Sequence, residues 1–229
     1  MIAFVLSAAF ALQSEELAAA AKKASEAGSY AFKIDAKGDG KGVNGLPSVE
    51  GRYEKDKAQA LKVNGTESFR KAGLVVVKDG EAWKRLEKPA KGDKPAKGSL
   101  TIQTFGAIKL PHEELTDFEK SFEKVEKAEE GELTVFTGAL TPAGARTLVS
   151  SGSKAEGKAR ANFVYSGTGK VWVNKDGAIV KYEVAVKAKG TLKEKDVEQT
   201  ITRTVQLSDV GTAKVEIPEA AAKALGGQS

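Results

Sequence analysis

The feature that most constrains this chain is a two-residue alternation of apolar and polar side chains that returns again and again between turn signals. Tyr30, Phe32 and Ile34 share one face of an extended segment, with Ala31, Lys33 and Asp35 on the other. From 179 to 189, Val180, Tyr182, Val184 and Val186 oppose Lys181, Glu183, Lys187 and Lys189. From 198 to 207, Ile201, Val205 and Leu207 oppose Thr200, Thr202 and Thr204. Such a period belongs to strands buried on one face only. Shorter candidates at 49–54, 58–63, 68–71 and 74–77 are joined by Asn64-Gly65 and Asp79-Gly80, which tolerate the positive φ of hairpin turns. Further strands are expected at 133–137, 159–165, 171–173 and 213–217. Gly167-Thr168-Gly169 and Asn174-Lys175-Asp176-Gly177 read as turns. Strands that follow one another through tight turns pair antiparallel, so the expectation is a meander.

Three stretches change to helical spacing. Segment 14–28 has Ser14 as a cap, Glu15 and Glu16 at its start, Lys22 and Lys23 later, and Gly28 as its stop. Segment 111–130 opens on Pro111 and repeats Leu115, Phe118, Phe122 and Val125 at helical intervals, which predicts one long amphipathic helix. Its other face carries eight carboxylates against three lysines and reads as solvated surface, so a pair such as Glu113 and Asp117 is not expected to act as acid and base. Thr141-Pro142 opens a short helix through Leu148. The Lys/Pro stretch at 84–98 predicts a mobile loop.

The apolar run 2–12 is too short to span a bilayer, which needs about 20 residues. With Ala9 and Ala11 as the small residues before a cleavage point, it reads as the core of a signal peptide over 1–11. No Lys or Arg precedes it, which leaves an upstream start or a buried helix as the other readings. Residues 12–229 then form one domain.

Composition excludes whole classes of function. With 41% hydrophobic and 29% charged residues the chain is neither an integral membrane bundle nor a disordered one. No cysteine means no disulfide, thiolate metal site or lipidated N-terminal cysteine. One histidine, His112, leaves no imidazole cluster for a metal, and no triad is in view, so no catalytic residue, metal or cofactor is expected and His112→Ala should be tolerated. The charge of +5 rests on lysines interleaved with carboxylates, with only six arginines, and argues against nucleic-acid binding.

Val171-Trp172-Val173-Asn174-Lys175-Asp176-Gly177 followed by a strand with Val180 and Tyr182, together with Leu207-Ser208-Asp209-Val210-Gly211 and Val215-Glu216-Ile217-Pro218, resembles the lipoprotein-carrier superfamily. Asp79-Gly80 with Trp83 is similar to the family's earlier turn. The LolA/LolB-like and LppX/LprG-like lipid-binding proteins of that group imply an α+β fold: a single highly curved antiparallel sheet, a half-barrel, with helices covering its concave face. The resemblance implies a non-enzymatic, periplasmic or secreted monomer that carries or senses a lipid-like or lipoprotein-type amphiphile in an apolar cavity. Its expected partners are a lipid or acylated ligand and a peripheral membrane or envelope protein contact. Unlike the lipidated members, this chain has no cysteine. The competing reading is an envelope interaction or assembly module without a small ligand.

Candidate ligand-lining residues are Phe32, Phe69, Phe118, Phe122, Phe136, Phe163, Tyr165 and Tyr182, each of which would equally serve as ordinary core. Arg203 falls by alternation on the face of Ile201 and Val205. There it would meet a head group or carboxylate, unless a β-bulge turns it outward. The helix expected at 111–130 would act as a lid over the sheet.

Overall fold

The computed structural model describes residues 2–40, 48–87, 101–116, 118–149, 162–192 and 194–226. Eleven antiparallel strands among them form one sheet: β1 (Ser29–Gly40), β2 (Val49–Glu54), β3 (Gln59–Val63), β4 (Thr66–Lys71), β5 (Leu74–Asp79), β6 (Ala82–Arg85), β7 (Phe122–Glu130), β8 (Leu133–Leu140), β9 (Val164–Val173), β10 (Ile179–Leu192) and β11 (Lys195–Ser208). Their order across the sheet is β6-β5-β4-β3-β2-β1-β11-β10-β9-β8-β7. Each pair is consecutive in sequence except β1 with β11, whose ten-residue register from Ala31↔Ser208 to Gly40↔Gln199 joins the two meanders. The result is the expected α+β half-barrel, a curved and unclosed sheet with helices on its concave face.

Helix α1 (Ile2–Ser25) packs on that inner face, together with α2 (Ile102–Ala107), α3 (Pro111–Leu115), a 3₁₀ turn (Phe118–Ser121) and α4 (Pro142–Val149). Here the large core forms, with Leu17, Phe105, Leu110, Leu115, Phe118, Phe136 and Tyr182 all nearly inaccessible. A smaller cluster lies on the opposite face. There Phe69, Val76 and Trp83 meet the C-terminal segment through Val215, Ile217, Ala221 and Leu225, the last two at or beside α5 (Glu219–Ala224).

Because β6 and β7 are the two edges of the sheet, the chain between them has to cross its whole width. Of that link, the described residues 101–116 and 118–121 lie on the inner face as a strap of short helical turns.

Several sequence expectations are corrected. The helix expected at 111–130 exists only as α3 and the 3₁₀ turn, and residues 122–130 form the edge strand β7. A bulge between Phe122 and Lys124 makes the inward residues Phe122 and Val125 three apart, which copies the spacing of a helix face. Hairpin pairing with β8 through Gly131, at φ +63°, wins over helix propensity. The bulge also brings the Lys124 carbonyl so close to Gly138 that a Cβ there would lie 2.0 Å from it. The lid helix expected at 111–130 is therefore not formed.

Gly167-Thr168-Gly169 is not a turn but the middle of β9. The Phe122 ring lies over Gly169, where a Cβ would approach within 2.6 Å, so glycine serves packing here. Val180 does not share a face with Tyr182: the register shift between Ile179 and Lys181 sets Val180 beside Lys181 on the open face. Ser14 lies inside α1 rather than capping a helix. Lys84 and Arg85 belong to β6, and the rest of the expected loop at 84–98 lies, beyond residue 87, outside the described residues. Segment 213–217 pairs with no strand, although Ala213 and Val215 are buried and the Val215 N–H donates to Glu54 Oε2 at 2.8 Å.

Candidate functional site

Three polar contacts fasten the strap to the sheet. At its start, Arg70 on β4 donates to the carbonyls of Phe105 and Ile108 at 2.5 and 3.0 Å, and its Nε donates to Gln59 on β3 at 2.5 Å. Burial holds the Arg70 guanidinium below its ordinary value, with the Glu113 carboxylate acting against it. In the middle, the Tyr30 hydroxyl lies 2.6 Å from His112 Nδ1, and the His112 ring stacks on Tyr53 at 4.4 Å. Tyr30 and Tyr53 face each other across β1 and β2, so sheet register places both partners of the histidine. Burial lowers the His112 pKa, and it raises that of Tyr30. His112 is therefore a packing residue, and the expectation that His112→Ala is neutral for the fold is replaced by an expected loss of stability.

At the third contact, Arg203 Nη1 donates to Glu114 Oε2 at 2.7 Å and the Tyr182 hydroxyl donates to the same oxygen at 2.5 Å. Arg203 and Glu114 side chains are 13% and 7% exposed, so this is a buried ion pair rather than a surface one. Burial would lower the Arg203 pKa, but the Glu114 carboxylate beside it holds it up. Burial, aided by Glu114, drives the Tyr182 hydroxyl well above its ordinary value, so it stays a donor. Arg203 thus points inward and meets a carboxylate that the chain itself supplies. Glu114 escaped the sequence reading because it was assigned to the solvated face of a helix that does not extend beyond Leu115.

On the open face of the sheet lies a groove of about 850 Å³. Trp83 and Phe69 stand at one end, with ring centroids 5.2 Å apart, and Trp172, Leu133 and Val180 at the other. Ala31 and Ala60 are the small side chains between them. Trp172 is held in place from both sides. Its Nε1 donates to Glu130 at 3.0 Å, and the Lys170 and Lys181 ammonium groups lie 4.7 and 4.2 Å from its ring centroid. Lys170 and the indole N–H together hold the Glu130 carboxyl below its usual range. A cross-strand row of alternating charge, Glu67, Lys62, Glu50 and Lys33, borders the groove, with Lys78 paired to Glu67 at 3.1 Å and Lys33 to Glu50 at 3.7 Å.

The structure separates the candidate lining residues. Phe118, Phe122, Phe136, Phe163, Tyr165 and Tyr182 all belong to the inner core, with Phe118 stacked edge-on against Phe122 and tilted against Tyr182. Phe32 is in the inner core but borders the groove, while Phe69 is on the open face. Trp83, Trp172 and Lys181 were not singled out for binding. A tryptophan at the polar phase of an alternating strand, as Trp172 is between the buried Val171 and Val173, is the signal that points to it. Among the described residues no group of carboxylates and histidine could hold a metal ion, and no helix is long and apolar enough to cross a membrane.

No protein-family model and no curated protein matches this chain. Solved structures do. It is similar to the lipoprotein LppX of Mycobacterium tuberculosis, at 13% identity and a TM-score of 0.52, over 90% of this chain and 97% of that one. It is similar to LprF of Mycobacterium bovis, at 13% identity and a TM-score of 0.54, over 91% and 96%. At this identity the likeness speaks for architecture, and by architecture the chain has the half-barrel fold of LppX and LprF.

Proposed function

We propose that this chain is a non-enzymatic exported binding protein that carries or senses a lipid-like or lipoprotein-type amphiphile, with the ligand's apolar part seated in the open-face groove. The groove carries this reading. Its volume of about 850 Å³ falls within the roughly 300–1,000 Å³ of small-molecule sites, and its ends are indole and phenyl rings on a rigid sheet. Each methylene removed from water there contributes about 0.8 kcal/mol, so a single acyl chain is enough for useful affinity without any catalytic group. The charged row beside it lets a polar head remain hydrated. The shared fold with a lipoprotein, LppX, supports an envelope setting.

Export is part of the proposal. Cleavage after Ala11 would keep Leu17, Ala20, Ala21 and Ala24, which enter the inner core from α1. The N-terminal mass of protein taken from its native cell tests this. A start near Leu12 is expected, and an intact Met1 would refute cleavage.

Native mass spectrometry of gently purified protein, followed by lipid extraction, tests binding itself. A co-purifying amphiphile is expected, and a phospholipid or fatty-acid probe should change the tryptophan emission of the wild type and much less that of Trp172→Ala. An empty protein that binds neither probe would overturn the reading in favour of an interaction module.

A further inference from the structure

We infer that a cavity of about 540 Å³ at the start of the strap is a binding site for a small, soluble phosphate monoester that also carries hydroxyl groups, of which glycerol 3-phosphate is the simplest. The cavity lies between the strap, the start of β3 and the turn from β4 to β5, and its lining shares no residue with the open-face groove. The inference therefore stands apart from the reading of that groove.

Its lining is polar and cationic. Arg70 and Lys71 of β4 and Lys109 of the strap stand around one carboxylate, Glu113, while Lys57 is already paired with Glu54 at 3.0 Å. Among the described residues neither Lys71 nor Lys109 makes a hydrogen bond or an ion pair, although Lys109 is half-buried. Arg70 is the fixed point between them. Gln59 and the Phe105 and Ile108 carbonyls engage its Nε and Nη1, so Nη2 is the nitrogen with no partner among the described residues. A guanidinium clamped through two of its nitrogens offers the third without further ordering, and its planar donors match phosphate oxygens. An anion there would also act with Glu113 against the burial that disfavours the Arg70 charge.

Glu113 decides the other end of the ligand. Its Oε2 accepts the Leu110 N–H at 2.7 Å, and Oε1 is left as an acceptor that repels a phosphate and takes a hydroxyl. Gly73 and Gly106 line the same space, and a Cβ built on either would meet nothing within 4 Å, so the cavity is open beside both. Ile108 and Ala72 are the apolar side chains of the lining, and Ile108 is only 9% exposed. An alkyl chain has little surface to follow there, which favours a soluble ester over a lipid.

Calorimetric titration of the full chain with glycerol 3-phosphate at constant ionic strength, with inorganic phosphate and glycerol as controls, tests the site. The wild type should bind the ester saturably and more tightly than inorganic phosphate, and should not bind glycerol. Arg70 is left unchanged because it fastens the strap. The double variant Lys71→Gln with Lys109→Gln breaks no hydrogen bond or ion pair among the described residues, so it should melt as the wild type does and bind the ester about tenfold more weakly or worse. Lys195→Gln with Lys223→Gln makes the same change in net charge at residues outside the lining and should bind as the wild type does. Absence of saturable binding, an ester no tighter than inorganic phosphate, or an equal loss in the two double variants would each overturn the site. Should the Lys109 change prevent folding, Lys71→Gln alone, at an exposed position, must still weaken binding, and full affinity in it would overturn the site. Phosphatidic acid vesicles that bind the protein when glycerol 3-phosphate does not would overturn the soluble ligand in favour of a membrane surface.

Discussion

The two faces of this sheet are built from the same strands and do opposite work. The inner face is closed, filled by aromatic and aliphatic side chains, with Tyr30 and His112 and Arg203 and Glu114 among its polar pairs. The open face carries a charged row, two tryptophans and a groove, and among the described residues it is covered towards β6 by the C-terminal segment. Stability is concentrated on the first face and ligand-accessible surface on the second. Substitutions on the two faces should therefore differ in kind, with melting temperature reading one and probe affinity the other.

The largest effect is expected from Phe118→Ala, which empties a site packed against Phe122 and Tyr182 and should cost about 3–5 kcal/mol in denaturant unfolding. Arg203→Met comes close behind. It strands the Glu114 carboxylate, a loss of about 3–5 kcal/mol for breaking a buried pair from one side, and removing both charges should restore most of it. If the single and double variants are equally unstable, the ion pair is not what fixes the strap.

A smaller effect comes from His112. Burial lowers its folded pKa, so the unfolded chain binds the proton more readily. The stability that comes from keeping the ring neutral is complete above the unfolded value of about 6.5 and is lost as pH falls through it towards the folded value. Melting temperature should drop over that window, and His112→Asn should flatten the step. Arg70 and Tyr30 would keep their positions in a chain whose step is unchanged by that substitution, and the strap's middle contact would then lose its assigned role.

On the open face, Trp172→Ala should shift stability by about 1 kcal/mol or less while lowering probe affinity severalfold, since its ring is half-exposed at a strand surface. Lys33→Ala should be the quietest change, within about 0.5 kcal/mol, because its contacts to Asp35 and Glu50 are solvent-exposed. A large loss from Lys33→Ala, or an affinity unchanged by Trp172→Ala, would erase the contrast between the faces.

Alternation in the sequence by itself determined most of the strands and their antiparallel meander, though neither β6 nor β7, and the inward phase of Tyr30, Phe32, Tyr182, Ile201 and Arg203, because side-chain direction in a strand has a fixed period of two. It also identified Leu115, Phe118, Phe122 and Val125 as buried, while assigning the last two to the wrong element. Only tertiary structure decided that, since a bulged strand and a helix face can share a three-residue apolar spacing and the choice rests on whether a partner such as β8 is available. The candidate sites divide in the same way. A strand's phase could aim Arg203 inward, but the carboxylate it meets lies 89 residues away, and the groove is assembled from Trp83 and Trp172 on opposite halves of the sheet. Local sequence periodicity carries the direction of a side chain; which distant residue it meets depends on the order of eleven strands and on the strap that must cross them.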